Sequence, residues 1–265
     1  MRMLSIASGS SGNCIYLGDD NTHIIVDAGL SGKKIEAGLN TIGLTTKDLN
    51  GILITHEHSD HIGGLGVISR KYNIPIYLTK KTAQAISNIK SVGKIDENLY
   101  NYVEKDKSFY IDSLKINPVK ISHDAADPVA YTVESKDKKA GVMTDLGYFD
   151  EYIVDKISGL DVLLLEANHD LNMLMVGSYP YYLKKRISGD KGHLSNENSG
   201  RLLSKVLHDN MKKILLGHLS KENNYAQLAY ETVRLEIKMG DNPYSDKDFP
   251  IEIADRTRPS AVINF

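Results

Sequence analysis

The sequence predicts an α/β protein in which two β-sheets pack together and are covered by helices. Three features of the pattern predict it. Strand-like runs dominate the early chain and are joined as hairpins. Helix-like segments separate the later strands. No linker, internal repeat or low-complexity stretch divides the 265 residues, which read as one domain over 1–265 with a long excursion at 168–192.

In chain order, 14–17 and 23–27 are short apolar runs on either side of Gly18-Asp19-Asp20-Asn21, a hairpin signature. A buried strand follows at 51–55, then helical patterns at 62–72 and 81–91. Strands are expected at 115–121, 130–134 and 140–144, the last two joined by the charged turn Lys136-Asp137-Lys138-Lys139. The uninterrupted apolar runs at 161–165 and 213–216 are of buried-strand type. Helical patterns occupy 196–208 and 224–239, and 251–255 reads as a last strand.

Composition narrows the class. Hydrophobic residues are 41% and charged residues 25%, which excludes a disordered or collagen-like chain. The 32 Lys+Arg against 34 Asp+Glu give a formal charge of -2, so no global basic field marks a nucleic-acid binder, although a local basic strip can suffice. A single cysteine, Cys14, forbids an intrachain disulfide and fits a reducing compartment. The opening residues reach Gly9 before an apolar core develops, so no signal peptide is expected. Apolar runs are too short for a membrane helix. A cytoplasmic protein with no membrane partner is the expectation; the sequence sets no oligomeric state.

The chemistry is concentrated in Thr55-His56-Glu57-His58-Ser59-Asp60-His61, directly after a strand and before Gly63-Gly64. His56 and His58 are two apart and face the same way in an extended segment. Asp60 and His61 fall on the next turn and can serve a second centre. Imidazole and carboxylate are the donors that borderline divalent cations prefer. A plain polar turn has no need of three histidines where Gly, Asn or Ser would do.

His-x-His-x-Asp-His after a strand, with Val26-Asp27-Ala28-Gly29 upstream, resembles the metallo-β-lactamase fold superfamily. Downstream, Ser122-His123-Asp124, Thr144-Asp145-Leu146-Gly147 and Leu216-Gly217-His218-Leu219-Ser220 are similar to its later motifs, each after an apolar strand. Ala7-Ser8-Gly9-Ser10-Ser11-Gly12-Asn13-Cys14 and Gly192-His193-Leu194-Ser195-Asn196 resemble the YycJ/WalJ/VicX group of that superfamily. The resemblance implies a four-layer αβ/βα sandwich of two mixed sheets flanked by helices. It implies two divalent ions, Zn²⁺ or Mn²⁺: His56, His58 and His123 on one, Asp60, His61 and His218 on the other, and Asp145 bridging. Asp27 would steady the site from behind; taken alone it would be a strand-end cap.

Leu165-Glu166-Ala167 and Gly192-His193 resemble the RNase Z branch, in which such a glutamate and histidine serve the leaving group. The resemblance places Glu166 and His193, with Asp60, in the catalytic set. The other reading makes Glu166 a cap and His193 an exposed loop residue; the role of His169 stays open. In the excursion, Tyr179, Tyr181, Lys184, Lys185 and Arg186 could stack bases and hold phosphates, or form a solvated basic helix with its tyrosines turned inward. Residues 8–13 are either a plain turn or a rim of backbone N–H groups. His23, His208 and Cys14 read as structural.

The function implied is a metal-dependent phosphodiesterase acting on nucleic acid, as a DNA 5′-to-3′ exonuclease with a metal-bridging hydroxide as nucleophile. The alternatives are a small-molecule hydrolase of thioesters, lactones or lactams, and a ribonuclease of RNase Z type. A metal-stabilised binding module would need only a closed four-ligand site, and seven ligand-type positions exceed that.

Overall fold

In the run Val162-Leu163-Leu164-Leu165, alternate side chains enter different cores. Val162 and Leu164 join one buried cluster, Leu163 and Leu165 another. Successive strand residues face opposite ways, so a run without polar interruption marks a strand covered on both sides.

The computed structural model describes residues 1–244 and 250–265. Among these, Arg2–Ala7 (β1), Cys14–Gly18 (β2), His23–Val26 (β3), Gly51–Leu53 (β4), Ile76–Leu78 (β5) and Tyr100–Tyr102 (β6) build a first sheet. The second contains Phe109–Ile111 (β7), Leu114–Lys120 (β8), Val129–Ser135 (β9), Lys138–Met143 (β10), Val162–Glu166 (β11), Lys213–Gly217 (β12) and Ile251–Ile253 (β13). Ile263–Asn264 (β14) returns to pair with β1. The helices are Gly32–Asn40 (α1), Ser59–Ile62 (α2), Leu65–Tyr72 (α3), Lys80–Ser87 (α4), Glu151–Ile157 (α5), Leu171–Val176 (α6), Tyr181–Ser188 (α7), Asn196–Val206 (α8) and Ala226–Met239 (α9).

Three cores separate four layers. Between the sheets lie Val26, Leu53, Tyr131, Val142, Leu164 and Leu215. Outside the first sheet, Ile25 and Ile52 pack with Ile35 and Leu39 of α1, Ile68 of α3 and Ile86 of α4. Outside the second, Leu163, Leu165 and Leu216 pack with Ile153 of α5, Leu202 of α8 and Val233 of α9. This is the expected αβ/βα sandwich of mixed sheets. Two polar ties cross between the sheets near the site: the Tyr131 hydroxyl donates to the Ile54 carbonyl at 3.0 Å, and the Val129 N–H donates to the Thr55 carbonyl at 3.0 Å.

Several boundaries differ from the pattern. The helix expected at 62–72 is two, α2 and α3, broken at Gly63-Gly64. The pattern did not identify β1, β5, β6, β7, β14, α1 or α5, because most are three to nine residues long and lack a clean period. The excursion is not irregular throughout: it holds α6, capped by the Asp170 side chain on the Met173 N–H, and α7.

Glycine lets the histidine-rich turn seat against the end of β3. A Cβ on Gly29 would lie 1.7 Å from the Asp60 carbonyl oxygen. That contact zone is zipped by Asn13 N–H to Asp60 O (2.8 Å), Ala28 N–H to His61 O (2.8 Å) and Gly64 N–H to Ala28 O (2.7 Å). Gly29→Ala must push α2 away. The expected result is a loss of about 1–3 kcal/mol in urea unfolding, the usual cost of overpacking, together with reduced metal content from displacement of Asp60 and His61. Unchanged unfolding and metal content would contradict it.

Candidate metal centre

Strand direction gathers the site. Strands β3 and β4 run parallel, as do β10, β11 and β12; β8 is antiparallel to β9 and β9 to β10, so β8 shares their direction. Asp27 follows β3, His56 follows β4, His123 follows β8, Asp145 follows β10, Glu166 ends β11 and His218 follows β12. All therefore emerge at one edge, where ligands bind in parallel α/β sheets. Asp27, Asp145 and His218 turn the chain there in the left-handed region, with φ of 63°, 59° and 53°. Asp and His tolerate that region better than most side chains, at a cost of about 1–3 kcal/mol each.

The donors converge in overlapping groups whose ligand atoms lie within 4.8 Å of one another. In one, His58 Nδ1 is 3.1 Å from His56 Nε2 and 3.2 Å from His123 Nε2. In another, Asp60 Oδ2 is 3.3 Å from His61 Nε2 and 3.4 Å from His218 Nε2. Asp145 stands among them, with Oδ2 at 3.1 Å from His61 Nε2 and Oδ1 at 3.5 Å from His123 Nε2. Asp145 Oδ2 is buried and has no hydrogen bond among the described residues. An orphaned carboxylate oxygen amid imidazole nitrogens is the donor chemistry a divalent cation requires, so these residues fit a metal.

Outer contacts aim the rings. Asp27 Oδ2 is 2.7 Å from His61 Nδ1, while Asp27 Oδ1 accepts the Thr55 N–H at 2.9 Å. The Nδ1 proton is thereby fixed on the carboxylate side, leaving Nε2 to face Asp60 and Asp145. The Gly192 carbonyl sits 3.1 Å from His123 Nδ1 and does the same for that ring. Glu166, fully buried, accepts the N–H groups of Leu146 (2.6 Å) and Leu194 (3.0 Å) on Oε1. Its Oε2 lies 3.2 Å from both His193 Nδ1 and His218 Nδ1. Glu166 thus serves two histidines, and Asp145, Glu166, His193 and His218 form a further donor group that sequence spacing did not bring out.

The two sides of the centre differ electrically. Burial, reinforced by the neighbouring His61, pushes His56 well below the usual histidine range, and burial lowers His123 as well. Burial also works against a charge on His61, but Asp145, Asp27 and Asp60 outweigh it and hold this ring well above its ordinary value. His218 is raised likewise, to about 10, because Asp145 and the bonds to Asp60 and Glu166 overcome its burial. Burial opposes the carboxylates of Asp145, Asp60 and Glu166, yet the histidines draw all three below the normal range, Glu166 to about 2.

Ser10 lines the cleft, and side chains of residues 8–13 also support the centre. Asn13 is buried, its Oδ1 accepting the Gly9 N–H at 2.9 Å while its Nδ2 donates to Asp60 Oδ2 at 3.3 Å. The Ser8 hydroxyl accepts the His218 N–H at 2.9 Å, and the Asn168 side chain donates to the His218 carbonyl at 2.8 Å. Asn13 was legible only as part of a Gly/Ser turn, since its partners in the metal centre, Asp60 and His61, lie 47 and 48 residues away. The cleft over the centre holds about 300 Å³, and Tyr179 and Arg186 line it with Asp60, His193 and His218. Tyr181, Lys184 and Lys185 do not: the Lys185 ammonium sits over the Tyr181 ring and Lys184 donates to the Met175 carbonyl. Tyr181 is exposed, not turned inward. His169 is buried with neither ring nitrogen hydrogen-bonded among the described residues. His23 and His208 lie outside the centre, against the Tyr16 hydroxyl and the Leu160 carbonyl.

A four-layer αβ/βα sandwich with histidines and carboxylates at one sheet edge defines the metallo-β-lactamase class of architecture. The chain belongs to the β-lactamase superfamily, whose domain model matches residues 22–218. It is 44% identical over 236 residues to exodeoxyribonuclease WalJ of Streptococcus pneumoniae, covering 89% of this chain and 88% of that protein. It is 41% identical over 230 residues to exodeoxyribonuclease YycJ of Bacillus anthracis, covering 86% of each. The metallo-β-lactamase fold protein YhfI of Bacillus subtilis superposes over all of both chains with a TM-score of 0.69 at 14% identity, a likeness of fold. No helix among the described residues is long and apolar enough to cross a membrane.

Two outcomes follow from the charge pattern. Raised histidines stabilise the fold fully below their unfolded value near 6.5, and that contribution is lost as pH rises through the folded value, about 10 for His218. Protein stripped with a chelator should therefore lose stability between pH 6.5 and 10 in urea unfolding. Cations must also displace those protons, so metal uptake at pH 7 should release protons, measured by calorimetry in buffers of differing ionisation heat. Flat stability and proton-neutral uptake would contradict this. Asn13→Ala, which frees the Asp60 carboxylate, should weaken metal affinity 10–100-fold, as loss of a ligand's supporting bond generally does; equilibrium dialysis at wild-type affinity would refute it.

Proposed function

We infer that the chain is a divalent-metal-dependent exodeoxyribonuclease. The observation that carries the reading is Asp145, buried between two donor groups with one oxygen unsatisfied, at the floor of an open cleft. His56, His58 and His123 would hold one Zn²⁺ or Mn²⁺, Asp60, His61 and His218 would hold a second, and Asp145 would serve both. A bound pair of such cations supplies Lewis-acid polarisation of a phosphodiester and activation of water near neutral pH. Similarity to two exodeoxyribonucleases over 86–89% of this chain supports DNA as the substrate.

The chain's own groups do the rest. Asp60 is the more exposed of the two ligand carboxylates that line the cleft. Arg186 reaches into the cleft and is paired with Asp124, where a substrate phosphate can replace that carboxylate. Tyr179 offers a ring for the terminal base. Tyr181, Lys184 and Lys185 extend this surface beyond the cleft. His193 has Nδ1 held by Glu166, which leaves Nε2 to protonate the departing alkoxide.

The direct test is digestion of 5′- and 3′-labelled single- and double-stranded DNA and RNA by metal-loaded protein, with a chelator control. The expected result is stepwise release of nucleotides from DNA 5′ ends, abolished by chelation. Cleavage of RNA alone would make it a ribonuclease, and hydrolysis of thioester or lactone alone a small-molecule enzyme. His193→Ala should slow DNA cleavage by about 10²–10⁴-fold, the usual size of general acid catalysis. Hydrolysis of bis(p-nitrophenyl) phosphate, whose leaving group needs no proton, should fall far less. Loss of metal from that variant would instead place His193 among the ligands with Glu166 and His218. Arg186→Ala should weaken DNA binding and reduce the slope of log affinity against log salt by about 1; an unchanged slope would mean Arg186 stays with Asp124.

A further inference from the structure

The excursion carries a surface that the metal chemistry does not use. Helices α6 and α7 pack together as a hairpin that exposes several large apolar side chains. Thirteen large apolar side chains stand exposed among the described residues, and five of them fall within positions 171–182. Val176 is 85% exposed, Tyr182 74% and Met175 56%, figures unusual for such side chains in a monomer surface unless they meet a partner. None of these three lines the metal cleft, yet Tyr179, Arg186 and Ile187 of the same hairpin do. The element that forms this wall of the cleft therefore also carries exposed apolar side chains that the cleft does not use.

Charge and size identify the occupant. Positions 171–188 contain Lys184, Lys185 and Arg186 and no acidic residue, in a chain whose net charge is -2. An apolar and aromatic face interleaved with cations matches unstacked bases on a phosphate backbone. The cleft beside it, about 300 Å³, is at the lower limit of small-ligand pockets and takes a strand end, not a paired duplex. For a duplex end to reach Asp145, its two strands must part at this wall.

Resting on the exodeoxyribonuclease reading, we propose that the α6–α7 hairpin is a strand-separating wedge. Tyr179 and Arg186 guide the degraded strand inward, and Met175, Val176 and Tyr182 receive the first unpaired bases of the opposite strand. Apolar side chains inserted at base steps unstack DNA in this way. A single-stranded substrate has no opposite strand, so it makes no use of this face.

The test compares kcat/KM on single-stranded and blunt double-stranded DNA for metal-loaded wild-type protein and for Met175→Ser/Val176→Ser, with Tyr182→Ser as an independent variant. These side chains are exposed, and retained single-strand activity reports intact folding. The expected result is unchanged single-strand cleavage with a loss of at least tenfold on blunt duplex, restored when the terminal base pairs are mismatched. Equal rates on duplex for variant and wild type would overturn the wedge, as would equal losses on both substrates. A wild-type dimer that the substitutions convert to monomer would also overturn it, by making the face an interface between copies of this chain. Wild-type protein that cleaves neither DNA would instead overturn the exodeoxyribonuclease reading.

Discussion

The structure depends on one costly arrangement, the burial of the Asp145 carboxylate among imidazoles. Asp145 is 2% exposed, and His61, His123, His193 and His218 all approach it within 3.8 Å. Taking a carboxylate out of water costs several kcal/mol unless cationic or hydrogen-bonding partners compensate. His61 and His218 supply that compensation by holding protons, and a divalent cation supplies it more strongly by replacing them. The same geometry therefore accounts for the charge state of the free protein and for its capacity to take metal.

Everything around this carboxylate keeps the rings from relaxing away. Parallel strands deliver Asp145, Glu166 and His218 to one edge, and left-handed turns at Asp27, Asp145 and His218 redirect the chain immediately after each strand. Asp27 grips His61, Glu166 grips His193 and His218, and Asn13 and Ser8 fasten Asp60 and His218 from the N-terminal loop. These supports come from positions 8, 13, 27 and 166 along the chain. The inter-sheet core behind them, with Val26, Val142 and Leu164 fully or almost fully buried, fixes the strand ends that carry them.

Much of this was legible in the sequence because the site is built from local signals. His56, His58, Asp60 and His61 occur within six residues and mark a metal site by donor type alone, while His123, Asp145 and His218, each just past an apolar run, were singled out by resemblance to the superfamily's later motifs. The pairing of Glu166 with His193 was readable from motif resemblance, but its sharing with His218 depends on the parallel register of β11 and β12, which no spacing reveals. Asn13 and Ser8 were hidden for a similar reason: a Gly/Ser-rich turn looks alike whether it faces solvent or a metal centre. Among the elements, β11 and β12 were plain because both faces are buried. Strands β5, β6 and β7, three residues each, were not, since three residues cannot establish a period. In the excursion, composition suggested inward tyrosines as readily as outward ones, and only the fold places Tyr181 and Tyr182 outside.

The central claim is that Asp145 is the shared carboxylate of two cation sites. Anomalous diffraction from crystals grown with Mn²⁺ or Zn²⁺ tests it most directly. The account predicts two peaks, one among His56, His58 and His123 and one among Asp60, His61 and His218, each with an oxygen of Asp145 in its coordination sphere. A single peak, or one centred on Glu166 and His193 with Asp145 bound to neither ion, would contradict it.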